Sequence, residues 1–148
     1  MILPDVNVLL YAFRRDAARH AEYAAWLQDV VTSDEPYGIS PQGLASVLRI
    51  STNPRIFAPA TPLSAAIDFC QTLLESDYCV VIQPGPRHWP IFVDLCRKSG
   101  ATGNLVPDAW FAALAIEAGC EWITTDRDYA RFPGLRWRTP FGKLEGRS

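Results

Sequence analysis

The sequence predicts an α/β fold with a parallel β-sheet. Short apolar runs with strand character recur along the chain, and segments with apolar residues at helical spacing separate them. Strands that alternate with helices favour a parallel sheet joined by short right-handed crossovers. The chain has 148 residues, 49% of them hydrophobic and 20% charged, which predicts one folded domain over residues 1–148.

Individual residues support the elements of the amino-terminal half. The predicted strands of the whole chain are 1–3, 37–39, 79–82 and 122–125. The predicted helices are 6–14, 17–31, 41–51, 62–76, 87–99 and 106–118. Pro4 should end the first strand, because proline cannot donate to a β-ladder. Tyr23 and Leu27 recur at helical spacing, and Ser40 and Pro41 suit the N-cap and first position of a helix.

The carboxyl-terminal half follows the same alternation. The β-branched run 79–82 predicts a buried strand. Pro107 and Gly119 stand where helices prefer to begin and end. The remaining residues, 127–148, are predicted as short irregular or strand structure.

Composition excludes several classes of protein. The formal net charge is −2, so the chain does not coat nucleic acid by net charge, although a local basic patch stays open. The four cysteines form no Cys-X-X-Cys pair, which disfavours a zinc ribbon and predicts buried, reduced thiols. With no signal peptide and no long apolar segment in view, we expect a soluble, cytoplasmic protein.

Three aspartates fall where an α/β sheet places its chemistry. Asp5 follows the first predicted strand, Asp126 follows the last, and Asp108 lies in the first turn of the predicted helix 106–118. Ligands of open parallel sheets bind beyond the carboxyl ends of the strands, so these carboxylates are expected to converge. Converging carboxylates repel one another, and Mg²⁺ or Mn²⁺, which prefers carboxylate and water oxygens, relieves that repulsion.

Each aspartate also has a purely structural interpretation. Asp5 is suited to cap the helix that begins near Val6, and Asp126 is suited to form an Asx turn. The charge of Asp108 complements the dipole of a helix start. Taken residue by residue, the sequence leaves these alternatives open.

The segments around the aspartates resemble the PIN-domain nucleases. The segment DVNVLLYA at 5–12 is similar to the family's opening motif, GNLVPDAWFAALA at 103–115 to its second acidic block, and TTDRDY at 124–129 to its third. The segment TNPRIF at 52–57 resembles one found in the VapC toxins of bacterial toxin–antitoxin pairs. The resemblance extends over nearly the whole chain.

The resemblance implies a PIN fold, in which a central parallel β-sheet is flanked by helices on both faces. It also implies an endoribonuclease toxin of a type II toxin–antitoxin system that uses Mg²⁺ or Mn²⁺ to hydrolyse tRNA or rRNA and so inhibits translation. By position, Asp5, Asp108 and Asp126 match the family's catalytic, metal-binding acids, and Asp128 matches a supporting metal position. A VapB-type antitoxin and a homodimer follow from the same resemblance.

The chain departs from the family at Ser46. PIN-domain nucleases usually carry a glutamate in the helix after Ser40, but residues 41–49 hold no acid and Ser46 occupies the glutamate position. A hydroxyl can hydrogen-bond a metal-bound water but brings no charge. We therefore expect a second metal ion to bind weakly, with Asp128 taking part of the role of the missing glutamate.

Two further residues are predicted to support the acids. Asn7 can hydrogen-bond an acid and fix its orientation, and the hydroxyl of Thr125, with that of Thr124, can orient Asp126. The alternatives are a polar contact at a helix start for Asn7 and strand propensity for the threonines.

The segment 127–148 carries six basic and two acidic residues, interleaved with aromatic ones. This pattern suits single-stranded RNA, whose phosphates pair with arginine and whose bases stack on aromatic rings. The predicted RNA-binding residues are Arg127, Arg131, Arg136 and Arg138. The alternative is that Phe132 and Trp137 pack in the core while the arginines are solvated.

The amino-terminal region offers further candidate contacts. Arg14 near Asp5 is a candidate partner for phosphate or for acidic antitoxin groups. The apolar side chains in the predicted helix 17–31, such as Trp26 and Val31, suit either the core or a face that receives an antitoxin helix.

Two other interpretations compete with a nuclease. A phospho-receiver signalling module shares the small α/β fold, but it needs an acidic pair after the first strand and a lysine at a later strand end, and neither is found. A PIN-type protein with weak or lost nuclease activity, which only binds RNA or a partner, agrees with the missing glutamate.

Overall fold

The computed structural model describes residues 1–142. Its strands are β1 (Ile2–Pro4), β2 (Tyr37–Ile39), β3 (Cys79–Val81), β4 (Glu121–Ile123) and β5 (Trp137–Arg138). Its α-helices are α1 (Val6–Phe13), α2 (His20–Thr32), α3 (Pro41–Ser51), α4 (Leu63–Glu75), α5 (His88–Ser99) and α6 (Leu105–Ala118). A 3₁₀ helix covers Arg127–Arg131. The alternation of strands and helices confirms the predicted α/β class.

Contacts divide the chain into two compact units, of which unit 1 comprises Met1–Leu3 and the chain from Ile82 onward. Its sheet has the order β1-β4-β5, and β4 runs parallel to β5 with Trp122 opposite Trp137. Both indoles are buried, and α5 packs along α6, which also contacts β4. The core of unit 1 therefore lies around this sheet and α6.

The ends of α6 follow the sequence prediction. Pro107 lies in its first turn, where a missing N–H costs nothing. Gly119 ends the helix with φ +69°, a left-handed conformation that favours glycine, and its N–H bonds back to the last turn. These two residues fix where α6 begins and ends, and so place Asp108 in its first turn.

Unit 2 comprises Pro4–Val81. Its two strands are parallel, with Tyr37 of β2 opposite Cys79 of β3. Helix α1 packs against α2 and α3, α3 against α4, and α4 against β3. The buried phenol of Tyr37 donates a 2.6 Å hydrogen bond to the carbonyl oxygen of Leu73, which ties β2 to α4.

The prediction that residues 79–82 form a buried strand is wrong in its burial. The strand forms, but Val80 is 39% exposed and Val81 49% exposed, and burial returns only at Ile82. β-Branched residues favour strands whether or not they are covered. The run therefore predicts the strand but not its environment.

Smaller differences have local causes. The helix predicted at 17–31 begins at His20, because Arg19 adopts the left-handed conformation at φ +60°. All four cysteines are free thiols, and Cys70 and Cys120 are buried while the other two are partly exposed. Within residues 1–142, no helix is long and apolar enough to cross a membrane.

Candidate metal centre

Asp108 lies half-buried in the first turn of α6. Burial and the negative charge of Asp126 raise the pKa of its carboxyl. Asp128 acts in the same direction, whereas a hydrogen bond from Tyr129 lowers this pKa. Asp108, Asp126 and Asp128 therefore form an acidic cluster in unit 1, in which like charges repel.

Local hydrogen bonds hold Asp126 in place after β4. Its N–H donates to Oγ1 of the buried Thr124 at 3.0 Å, and its Oδ1 accepts the N–H of Asp128 at 2.9 Å. Asp126 thus caps the 3₁₀ helix, as the Asx-turn alternative predicted. Because a carboxylate has two oxygens, this cap is compatible with a metal contact. Thr125, the predicted supporting residue, is half-buried next to Thr124.

In unit 2, Asp5 is buried directly before α1. Its Oδ1 accepts the N–H of Val6 at 2.6 Å, so Asp5 is the N-cap of α1. In the first turn of the same helix, Asn7 has a buried Oδ1 that finds no hydrogen-bond partner among residues 1–142. An unsatisfied buried amide oxygen is costly, and a water held by a cation would satisfy it.

Ser46 lies half-buried on α3, which packs against α1. A β-carbon added to Gly43 would lie 3.9 Å from Cγ2 of Val6, so this side of α3 faces the start of α1. Ser46 is three residues from Gly43 and shares its helix face. The position that carries glutamate in the family therefore lies on the side of α3 turned toward the residues that follow Asp5.

Within residues 1–142, no group of three or more His, Cys, Asp or Glu side chains is arranged to hold a metal ion. The chemistry of the donors nevertheless fits a hard divalent cation, since they are carboxylate and amide oxygens. In unit 1, a cation would relieve the repulsion within the acidic cluster. In unit 2, a bound water would satisfy the Oδ1 of Asn7.

Two of the predicted RNA-binding arginines lie beside the acidic cluster. Arg127 and Arg131 are the first and last residues of the 3₁₀ helix that Asp126 caps. A guanidinium nitrogen of Arg131 lies 4.0 Å from Oδ1 of Asp128, and both side chains are exposed. An exposed pair of this kind contributes little stability, so Arg131 is available to a phosphate.

The other two predicted RNA-binding arginines both pair with a different carboxylate, Glu121. Arg136 and Arg138 pair with Glu121, with nitrogen-to-oxygen distances of 3.2 and 3.0 Å. Glu121 is the first residue of β4, whereas Asp126 follows the end of that strand. Arg136 therefore lies level with the amino-terminal end of the strand. Its guanidinium is exposed, whereas that of Arg138 is half-buried against Glu121.

Three of the four aromatic side chains in 127–148 are buried, whereas Phe141 is 44% exposed, so only Phe141 is placed for the predicted stacking on an RNA base. Tyr129, Phe132 and Trp137 are buried in the core of unit 1, as the alternative interpretation held. Apolar area outweighs the alternating pattern, because Trp137 lies opposite Trp122 on the edge strand β5 and is buried there. Three charged residues of the segment lie outside the described residues, namely Lys143, Glu145 and Arg147.

Arg14 has a structural role. Its guanidinium pairs with Asp16 at 2.6 Å and donates to the carbonyl oxygen of Pro59 and to Oγ1 of Thr61 at 3.1 and 3.0 Å. It also lies 4.0 Å over the ring of Phe57. These contacts tie the end of α1 to the loop before α4, so Arg14 is committed to the fold of unit 2.

Sequence reasoning missed one residue of the site, Tyr129, whose phenol donates a 3.3 Å hydrogen bond to Oδ1 of Asp108. The hydroxyl contact to Asp126 comes from Thr124, which the sequence had named beside Thr125. The available signal was a hydroxyl-bearing aromatic directly after the motif TTDRD, but its partner is 21 residues earlier in the chain. Only the fold reveals that contact.

Comparison with known proteins places the chain among nucleases. A family model described as the PIN domain matches residues 2–135. Ribonuclease VapC43 of Mycobacterium tuberculosis is 40% identical over 140 residues, which are 95% of each chain. The crystal structure of VapBC2 from Rickettsia felis bound to a promoter DNA fragment contains a chain with a TM-score of 0.68 and 17% identity, covering 94% of this chain and 98% of that one. The structure of VapC20 of M. tuberculosis, a toxin that cleaves the sarcin–ricin loop, gives a TM-score of 0.61 and 16% identity. The match covers 91% of this chain and 98% of that one.

Proposed function

Since the chain belongs to the PIN-domain family and is an endoribonuclease toxin of the VapC type, we propose that Asp5, Asp108 and Asp126 hold the divalent cation with which it hydrolyses RNA. Asp128 supports this site, and the cation is Mg²⁺ or Mn²⁺. The observation that carries the proposal is the acidic cluster, in which Tyr129, three residues after Asp126, donates to Asp108, and in which burial and the charge of Asp126 raise the pKa of Asp108. Such an arrangement costs free energy unless a cation shares the site.

The order of the strands supports Asp5 as the third ligand. β1 and β4 are neighbours in the sheet of unit 1. Asp5 follows directly after β1, and Asp126 follows β4 by three residues. In open α/β sheets, side chains beyond the carboxyl ends of neighbouring strands share a ligand site.

The family model, which spans 2–135, also supports a single PIN domain made of both units.

A bound divalent cation would polarise a phosphodiester oxygen and lower the pKa of an attacking water. The chain's own residues hold the carboxylates in place for that task. The cap of the 3₁₀ helix fixes Asp126, and the N-cap contact with Val6 fixes Asp5. Asn7, Ser46 and Thr125 are proposed to hydrogen-bond the acids or the waters around the site.

RNA is proposed to reach this site through Arg127 and Arg131 on the 3₁₀ helix. Their position beside Asp126 would bring a phosphate next to the acidic cluster. The substrate class is tRNA or rRNA, in keeping with VapC20, which cleaves the sarcin–ricin loop. Cleavage of either RNA would inhibit translation.

The proposed partners are a cognate VapB-type antitoxin and a second copy of the chain. An apolar cavity of about 420 Å³ opens in unit 2 beside α2 and α4, with Leu27, Val31 and Phe69 among its lining residues. A groove of this kind suits the apolar face of an antitoxin helix. This supports the second interpretation of the predicted helix 17–31, in which its apolar side chains receive a partner.

The proposal is tested by incubating the purified protein with a mixed tRNA and rRNA pool, with Mg²⁺, Mn²⁺ or EDTA. We expect cleavage with either metal, none with EDTA, and none by the Asp108→Asn variant. Sequencing of RNA ends after pulsed expression then identifies the target. RNA binding without cleavage would instead support a PIN-type protein that has lost its activity, the alternative that the missing glutamate favours.

A further inference from the structure

Tyr129 connects the 3₁₀ helix to α6 at the acidic cluster. Its side chain is only 2% exposed, and its Oη donates to Oδ1 of Asp108 at 3.3 Å. The bond joins a residue three positions after Asp126 to a carboxylate in another element. It is therefore a direct link between the second and third acidic blocks of the chain.

The ring of Tyr129 is held firmly enough for its hydroxyl to have a defined position. Its centroid lies 5.4 Å from that of Trp122 in β4 and 5.8 Å from that of Phe132. The backbone N–H of Tyr129 also bonds to the carbonyl oxygen of Asp126 at 3.4 Å. The phenol is thus anchored to the same turn that fixes Asp126.

We propose that Tyr129 is a positioning residue, which orients the Asp108 carboxylate so that Oδ1 is held by the phenol and Oδ2 is directed to the cation. The inference rests on the proposed function, in which Asp108 is a metal ligand. Partners of metal ligands fix ligand orientation, and their loss typically reduces metal affinity or activity by roughly 10-fold to 100-fold. A phenylalanine at this position would keep the packed ring but leave Asp108 to rotate.

The test compares Tyr129→Phe with Tyr37→Phe, which also removes a buried phenol hydroxyl, but one bonded to the carbonyl oxygen of Leu73. Mn²⁺ binding without RNA is followed through the electron paramagnetic resonance signal of the free ion, beside RNA cleavage kinetics and thermal melts. For Tyr129→Phe we expect Mn²⁺ affinity and kcat to fall roughly 10-fold with an unchanged KM for RNA. Tyr37→Phe should lower the melting temperature and leave Mn²⁺ affinity and kcat as in the wild type.

Asp108→Asn in the same series separates the two claims. If Asp108→Asn loses Mn²⁺ binding while Tyr129→Phe matches the wild type in affinity and kcat, the positioning role is overturned and the metal site stands. If Asp108→Asn itself binds Mn²⁺ and cleaves RNA normally, the proposed ligand role of Asp108 fails, and the role of Tyr129 fails with it. Equal losses in Tyr129→Phe and Tyr37→Phe would show a general effect of stability and overturn the positioning role.

Discussion

Burial of Asp108 and the nearby negative charge of Asp126 raise the pKa of the Asp108 carboxyl, although the two residues are 18 positions apart in the chain. Helix α6 presents the first residue and the turn after β4 presents the second. An ionised Asp108 is therefore unfavourable in the folded protein by itself. The same repulsion makes the site receptive to a divalent cation.

Asp108→Asn should abolish RNA cleavage and keep the fold. Asparagine retains the shape of the side chain and can still accept the hydrogen bond from Tyr129, but it removes the charge that a hard cation needs. Melting curves in EDTA should show a higher melting temperature for the variant than for the wild type, because the repulsion from Asp126 is gone. Added Mn²⁺ should stabilise the wild type and leave the variant unchanged. Normal cleavage by the folded variant would contradict the ligand assignment.

The stability difference between wild type and Asp108→Asn should depend on pH in a defined direction. The pKa of Asp108 is raised in the folded state, so the folded protein binds this proton more tightly than the unfolded chain. The tighter proton binding contributes to the free energy of unfolding of the wild type. That contribution is fully present below the unfolded pKa of about 3.9, and it is lost as the pH rises through the pKa of Asp108 in the folded state. In EDTA, the free energy of unfolding of Asp108→Asn should therefore exceed that of the wild type by an amount that grows over this pH range and then levels off. A difference that does not change with pH would show that Asp108 is not perturbed.

The sequence predicted the elements of the site because its signals there are local. Proline in the first turn of α6 and glycine after its end placed Asp108, and the position of Asp126 after an apolar run placed the third block. Proximity between Asp108 and Tyr129 depends on how α6 packs on the 3₁₀ helix. Such packing involves residues distant in the chain and leaves no local pattern.

Replacing Arg127 and Arg131 together by alanine should weaken RNA binding and reduce its dependence on salt. Each lost phosphate contact should lower the log–log slope by about 0.7 for a single strand. The matched control is Lys98→Ala, which removes an exposed cation that pairs with Asp94 on α5. Its slope should equal that of the wild type. An unchanged slope in the double variant, measured by filter binding over a salt series, would show that neither arginine contacts phosphate.

The arginines also show where a sequence pattern stops being informative. All four alternate with aromatic residues along the chain, and the pattern alone assigns them one role. In the fold, Arg138 lies in β5 and Arg136 directly before it, and both pair with Glu121 at the start of β4. An ion pair across two strands depends on their register, which the sequence does not specify.

Ser46→Glu should lower the Mg²⁺ or Mn²⁺ concentration that gives half-maximal cleavage. The side chain is half-buried on the side of α3 that faces the start of α1, so an added carboxylate can reach solvent and cations without entering the core. A metal titration of cleavage, run beside a thermal melt, measures both effects. A stably folded variant with an unchanged metal requirement would show that position 46 is not part of the site.

The central claim is that Asp5, Asp108 and Asp126 hold one divalent cation, and Mn²⁺ binding measures this most directly. The titration compares the wild type with Asp5→Asn, Asp108→Asn and Asp126→Asn, and with Asp94→Asn, which removes an exposed carboxylate paired with Lys98 on α5. Removing a residue that only supports a metal ligand typically weakens binding roughly 10-fold, so each of the three site variants should weaken Mn²⁺ binding by at least that factor. Asp94→Asn should bind Mn²⁺ with the affinity of the wild type. Wild-type affinity in any of the three site variants would contradict the assignment of that residue, and wild-type affinity in all three would contradict the claim as a whole.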